Sequence, residues 1–188
     1  MKNLKLVAIA FVATLSMTTM VAQTKKVIVE KSKVTWLGKK VTGQHEGTVN
    51  IKDGALVFKK NKLKGGTFTV DMNSLTATDL TGEYLGKLNG HLKSEDFFGT
   101  TKFPTSTLVF KKIAAKGNNT YAVTADLTVK NITNPVTFDM VVEGNTAKTN
   151  LKIDRTKYDI KYNSKSFFDA IGDKAIYDDF ELNVNLMF

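Results

Sequence analysis

Apolar and polar residues alternate with a period of two along most of this 188-residue chain, the signature of strands with one buried and one wet face. Tyr121, Val123, Ala125, Leu127 and Val129 alternate with Ala122, Thr124, Asp126, Thr128 and Lys130. Val136, Phe138, Met140 and Val142 repeat the pattern after a break at "NITNP", where Pro135 is expected to end the pairing. Ala147, Thr149, Leu151 and Ile153 follow, joined to the previous run by the tight-turn signal "EGN" at Glu143 to Asn145. The last run is the cleanest, with Ile176, Phe180, Leu182, Val184, Leu186 and Phe188 on one face. Earlier runs end at glycine in "KVTWLGKKVTG", "HEGTVNIKDG" and "ALVFKKNKLKGG", which predicts several short strands there.

Two segments break the alternation. Between Asn73 and Phe98, Leu80, Tyr84, Leu85 and Leu88 have helical spacing, weakened by Gly82, Gly86 and Gly90. Ser94 then precedes "EDFF", which predicts a second short helix with Ser94 as its cap. In "NSKSFFDAIGDK", Phe167, Phe168 and Ile171 predict one helical turn or an ordered loop.

About eight antiparallel strands joined by hairpin-length turns make an all-β fold, and eight strands close into a barrel that holds side chains or one slender ligand. Apolar inward faces with two aromatic-rich insertions give a lined cavity with a mouth. No internal repeat or linker interrupts the runs, so residues 23–188 read as one domain.

The first 22 residues have a different pattern. Lys2 and Lys5 precede the apolar or small run from Leu6 to Leu15, and Ala22 stands at a plausible cleavage position, so 1–22 reads as a secretory signal peptide. Its apolar run is short for a membrane span, and no stable membrane insertion is expected. The chain has no cysteine, which excludes a disulfide scaffold, a thiolate nucleophile and a cysteine-based metal site. Its formal net charge is +9, of which Lys2 and Lys5 supply two. The remaining lysines are scattered in ones and twos, as on solvated strand faces, and no nucleic-acid partner is expected.

Candidate chemistry concentrates in "NGHLKSEDFFGTTKFP", where His91 is followed by Glu95, Asp96, Phe97 and Phe98. His45 and His91 have no local ligand-pair spacing, so no metal is expected. No Gly-x-Ser-x-Gly turn supports a serine hydrolase. Glu95 and Asp96 would serve a glycosidase only if both reached one sugar, and a solvated helix start is the simpler reading. His91 has two readings, a ring that satisfies backbone groups where the insertion rejoins the barrel or a donor to a ligand headgroup. Arg155, the only arginine, is expected to make a fixed contact with Asp154 or another carboxylate.

The blocks "KVTWLGKKVTGQHEGTV", "GGTFTVDMNSL", "LNGHLKSEDFFGTTKFPTSTLVF", "ADLTVKNITNPVTFDMVV" and "IDRTKYDIKYNS" followed by "IYDDFELNVNL" resemble, in order, the signature blocks of the YceI-like lipid-binding family. The resemblance runs from about Lys33 to the C-terminus. Asp159 stands where the family commonly has glycine, and Gly99 where an acidic residue usually follows the paired phenylalanines. The resemblance implies a lipocalin-like antiparallel β-barrel, exported to the periplasm, that holds a polyisoprenoid or other long-chain amphiphile without catalysis. A bound isoprenoid or fatty-chain lipid is expected in place of a cofactor. Candidate lining or mouth residues are Trp36, Phe68, Leu85, Leu88, His91, Phe97, Phe98, Phe103, Phe110, Phe138, Phe167 and Phe168. The alternatives are an enzyme acting on such a lipid and a small outer-membrane barrel, and a homodimer is left open.

An apolar tail offers no hydrogen bonds, so its binder needs enclosed area and shape. At roughly 0.8 kcal/mol per buried methylene, three or four isoprene units supply on the order of 10 kcal/mol. Association and ordering costs of about 4–15 kcal/mol offset much of this, so tight binding requires a deep site.

Overall fold

In the computed structural model, which describes residues 21–168 and 172–188, the alternating runs form nine antiparallel strands. These are β1 (Gln23–Lys26), β2 (Lys33–Lys40), β3 (Gly43–Lys59), β4 (Lys62–Ala77), β5 (Thr105–Gly117), β6 (Thr120–Val129), β7 (Ile132–Glu143), β8 (Thr146–Asp154) and β9 (Ile176–Met187). Strands β2 to β9 pair in chain order and β9 returns to β2, so eight strands close into a barrel. Strand β1 pairs with the Ala55–Phe58 part of β3, while β2 pairs with Gly43–Val49. Together they fill one stave, interrupted by a 3-10 turn at Val29–Lys31. The signal-peptide segment lies almost wholly outside the described residues, as does Ile171.

Three hairpins have two-residue turns with both residues at positive φ: Lys60-Asn61, Asn118-Asn119 and Lys130-Asn131. This geometry matches the twist of the flanking strands, and asparagine tolerates it well. The β6–β7 turn therefore falls at Lys130-Asn131, and Pro135 sits inside β7, paired with Asp126. Its missing N–H is tolerated because β8 pairs with β7 only over Met140–Glu143, leaving the Pro135 stretch with a free edge.

Glycines expected to end strands instead lie within them. β3 runs through Gly54, and β4 through Gly65 and Gly66. The reason is close packing: a Cβ at Gly54 would come 2.6 Å from the Phe68 ring, and one at Gly66 would come 2.7 Å from Phe110. Glycine lets an aromatic ring lie flat on the wall. At Gly47 a Cβ would collide first with the Thr76 carbonyl and then, at 2.5 Å, with the Trp36 indole.

The single α-helix among the described residues, α1 (Gly82–Lys93), starts later than its periodicity suggested, because Asn73–Ala77 still belongs to β4. Leu85, Leu88 and Leu92 pack against the core, whereas Tyr84 is 73% exposed. β5 pairs only with Thr67–Asp71 of β4, so the end of β4, paired with β3 on one side, lacks a strand neighbour on the other. The helix covers it: Asn89 accepts from the Ala77 N–H and donates to Thr76, and Lys93 donates to the Asn73 carbonyl. The expected second helix is absent, and Ser94–Phe98 is a turn. Ser94 Oγ donates to the His91 carbonyl at 2.8 Å, and so closes α1 instead of capping a new helix.

The interior divides along the barrel axis. At the hairpin end, Leu56, Leu63, Val123, Ala125, Met140 and Ala147 are at most 2% exposed. Phe110 packs against Phe68 at 5.6 Å and Phe138 at 5.8 Å, with Phe58 against Phe188 at 5.5 Å below them. Each such burial stabilises by roughly 1.5–3 kcal/mol. The outer face carries ion pairs such as Lys39–Glu181, Lys116–Asp139 and Lys152–Asp179, where a membrane barrel would need an apolar band.

Candidate functional site: a cavity beneath the helical mouth

Above the Phe68–Phe110–Phe138 layer, Val34, Val49, Val70 and Ser106 put short side chains among the larger ones, and a void opens. Val34, Trp36, Val49, Val70, Leu127 and Ile153 line it, with Phe180 and Leu182 of β9. Its volume is about 150 Å³, the size of a dry cavity that accepts one benzene-sized group. Leu92, Phe97 and Phe98 of the helical insertion and Ile160 and Ile176 form its roof. A second space of about 480 Å³ lies outside that roof, lined by Leu88, His91, Tyr162, Lys40, His45 and Lys174. Leu92, Phe97 and Ile176 belong to both linings, so cavity and groove meet at these residues.

Phe97 is the centre of that junction. His91 meets it edge-on at 4.9 Å and Tyr162 packs at 5.6 Å, while His91 and Tyr162 contact each other at 4.5 Å. On the other side, the Arg155 guanidinium lies 5.9 Å from the Phe97 ring centre. Such edge and cation contacts add about 0.5–1.5 kcal/mol each to plain burial. The His91 ring thus packs on aromatic side chains instead of satisfying backbone groups, with Nε2 3.5 Å from Asp96. Glu95 and Asp96 are exposed in the turn.

Arg155 is 4% exposed and its guanidinium is spent on the backbone. Nε donates to the Tyr177 carbonyl, Nη1 to Ile160 and Nη2 to Ile176. The carboxylate brought near it is Asp178, 3.5 Å from Nη2, and not the neighbouring Asp154. Burial lowers the guanidinium pKa, opposed by the charges of Asp178 and Asp154. Arginine remains charged even so. Its role is to tie the Arg155–Tyr158 turn to the start of β9 and so fix the roof. Asp154 instead accepts from the Thr156 N–H and hydroxyl. The turn ends at Asp159 with φ +58°, the left-handed conformation that explains why glycine is common there in the family. Gly99 also has φ +54°, and Glu95 folds over it.

The twelve candidate residues separate into groups. Trp36, Phe97 and Phe98 line the cavity, and Leu88 and His91 line the groove. Phe68, Phe110 and Phe138 lie outside the cavity wall, in the packed layer beneath it. Leu85 packs against the core from α1, and Phe103 sits beside Gly99 and Lys102, away from the void. Phe167 and Phe168 are 50% and 49% exposed and outside the cavity, with Lys161 over the Phe167 ring at 5.0 Å. Sequence reasoning missed Tyr162, Ile160 and the small residues that create the space, Val34, Val49, Val70 and Ser106. The available signal was their shortness at inward positions. Among the described residues no group of three or more His, Cys, Asp or Glu converges as a metal site, and no helix is long and apolar enough to cross a membrane.

A closed antiparallel barrel with one packed end and a roofed apolar cavity at the other defines a ligand-holding β-barrel. The chain belongs to the YceI-like domain family, whose sequence pattern matches residues 26–188. It is 34% identical over 91 residues to a UPF0312 protein of Shewanella denitrificans, covering 48% of this chain and 46% of that protein. The chain thus spans about half the length of the curated relatives it matches. Among solved structures, it is similar to Burkholderia cenocepacia BcnA, with 22% identity, TM-score 0.65, and coverage of 86% of this chain and 99% of that one. A polyisoprenoid binding domain from Saccharophagus degradans, implicated in plant cell wall breakdown, shares 12% identity with TM-score 0.57, covering 89% of this chain and 97% of that one. These likenesses establish the lipocalin-like barrel.

Proposed function

We propose that the protein is a carrier or sequestering protein for a long-chain amphiphile, a polyisoprenoid or similar lipid, held in the barrel cavity. The observation that carries this reading is the void of about 150 Å³ with an almost wholly apolar wall, which adjoins a mouth groove at Leu92, Phe97 and Ile176. A well-filled barrel of this size would have no reason to leave such space. The void alone takes the leading ring or few carbons of a chain, so a longer chain needs Leu92, Phe97 and Ile176 to part and let the rest lie in the groove. The printed function of the Saccharophagus degradans domain, binding a polyisoprenoid, supports the same ligand class. The cavity wall holds no histidine, and both histidines lie on the groove side of Phe97, which favours holding over turnover. The charged and apolar pattern of residues 1–22 supports export to the periplasm.

The test is a titration of delipidated protein with a prenyl-chain lipid, following the fluorescence of Trp36, the one tryptophan. Saturation at one equivalent is expected, with at least tenfold weaker binding in the cavity-filling variant Val49→Phe. Absence of saturable binding, or equal binding by a folded Val49→Phe protein, contradicts the proposal.

A further inference from the structure

The turn Ser164–Phe168, between β8 and β9, inverts the usual partition of side chains. Ser164 is fully buried, while Phe167 and Phe168 are half exposed. In folded chains serine is mostly exposed and phenylalanine mostly buried. The inversion is built into the turn. The N–H groups of Phe167 and Phe168 both donate to the Ser164 carbonyl, and the Ser164 hydroxyl accepts from the Ser166 N–H. The Ser166 hydroxyl donates to Asp178, the carboxylate that also faces Arg155. The polar groups of the turn are thus used within the fold, and the two rings are held in solvent.

The turn belongs to a larger patch. Among the described residues the exposed aromatic side chains are Tyr84, Tyr162, Phe167, Phe168 and Tyr177, and all of them lie at the mouth end of the barrel, on α1 or between β8 and β9 and at the start of β9. Val41, in the β2–β3 turn, is 40% exposed, and its N–H donates to the Ala175 carbonyl, so that turn adjoins the same loop. Lysines are interleaved with these apolar groups. Lys157, Lys161, Lys165 and Lys174 outnumber Asp159, Asp169 and Asp173 in the loop sequence, and Lys40 stands beside Val41. Lys161 pairs with Asp159 at 2.8 Å and places its Nζ 5.0 Å from the centre of the Phe167 ring. The formal charge of the whole chain, +9, favours approach to an anionic surface.

The size and chemistry of the patch select its partner. Half of each ring leaves on the order of 100 Å², and the patch stays well below the roughly 800 Å² per partner of a stable protein interface. Adjacent phenylalanines flanked by lysines suit a lipid surface, where the rings enter the boundary between headgroups and acyl chains while the ammonium groups stay among the phosphates. We infer that the Ser164–Phe168 turn docks the mouth of the barrel peripherally on a membrane bearing anionic lipids, with Phe167 and Phe168 inserted and Lys161 and Lys165 in the headgroup layer. Tyr162 connects the docked turn to the cavity, since its ring contacts both His91 and Phe97. Docking is a function beyond ligand holding and is measured without a ligand.

The experiment sediments the protein, purified from an exporting bacterial host, with vesicles of phosphatidylcholine alone or with added phosphatidylglycerol. Binding to the mixed vesicles is expected, weakened by salt. The double variant Phe167→Ser, Phe168→Ser should bind both kinds of vesicle about tenfold more weakly. Lys161→Gln with Lys165→Gln should lose about tenfold on the mixed vesicles alone. Val109→Ser, at an exposed position of β5, should bind like the parent. Phe167→Trp reads insertion directly, by a blue shift of the added indole emission and its quenching by lipids brominated on the acyl chain, and it decides the matter even where the double variant does not fold. Absence of vesicle binding by the folded parent, unchanged binding by the folded double variant, or an unquenched indole overturns the inference. Self-association through the patch without vesicle binding overturns it too and assigns the patch to a protein contact. Saturable prenyl-lipid binding with no vesicle docking leaves the carrier reading standing, and docking with no lipid uptake leaves the docking inference standing alone.

Discussion

The two ends of the barrel are built from the same strands and the same inward alternation, yet one is solid and the other hollow. At the hairpin end the inward positions hold Phe58, Phe68, Phe110, Phe138 and Met140. Toward the mouth, β2 to β5 hold Val34, Val49, Val70 and Ser106 at inward positions, and the void lies among them. Eight strands fix a diameter that large side chains fill and small ones do not. Side-chain volume at successive levels, and not strand number, therefore sets where a ligand goes. Glycine acts differently at the two levels as well. Gly54 and Gly66 admit Phe68 and Phe110 to the packing, whereas Gly47 seats the Trp36 ring at the cavity.

Substitutions at the two ends should separate stability from binding. The largest effect is expected from Phe110→Ala, which opens a hole between Phe68 and Phe138 and should cost about 3–5 kcal/mol in chemical denaturation. If it costs less than about 1 kcal/mol, the packed end is not packed. Arg155→Met at the roof comes next. It leaves the Ile160, Ile176 and Tyr177 carbonyls without their donor and Asp178 without its counter-ion, and should cost about 3 kcal/mol in the same measurement.

Tyr158 provides a pH test of the roof. It is 2% exposed, and burial, helped by the charge of Asp154, pushes its hydroxyl up to about 12 from the ordinary 10. The unfolded chain loses this proton first, so the folded state is penalised as pH rises from 10 toward 12. The tyrosine's contribution is complete below pH 10 and should decline by about 1–2 kcal/mol across that window. Tyr158→Phe should flatten this decline in stability curves recorded from pH 9 to 12, and an unchanged slope would show that the ring is not sequestered. The smallest effect belongs to Phe167→Ala, since half of that ring is exposed. Its stability should stay within about 0.5 kcal/mol of the parent.

Much of the fold was legible because period-two alternation reports directly which face is buried. Strands β6, β8 and β9 and the barrel class follow from it. Strand ends were harder to read. Gly54, Gly65 and Gly66 look like breaks in one dimension, and only the rings lying over Gly54 and Gly66 show why those strands continue. Pro135 looked like a stop because its sequence does not show which edge of β7 lacks a neighbour. The "SEDFF" segment carries a helix-start pattern, but Ser94 donates to His91 before it can cap anything.

For the site, the paired Phe97 and Phe98 stood out as residues of an insertion, and they form the roof of the void. Phe167 and Phe168 gave the same signal and lie in an exposed turn. Alternation also cannot give height along the axis, which is why Phe68, Phe110 and Phe138 looked as suitable for a lining as Trp36. The partner of Arg155 was equally hidden, because the three carbonyls it binds come from the turn after β8 and from β9.

The central claim is that the hollow end exists to hold a long-chain amphiphile. Native mass spectrometry of the protein purified from an exporting bacterial host, paired with organic extraction of the same sample, tests it most directly. The account predicts a mass increment of one long-chain molecule per chain, released on extraction and rebound on addition. A bare polypeptide mass, with no uptake of added prenyl or fatty-chain lipid, would contradict it.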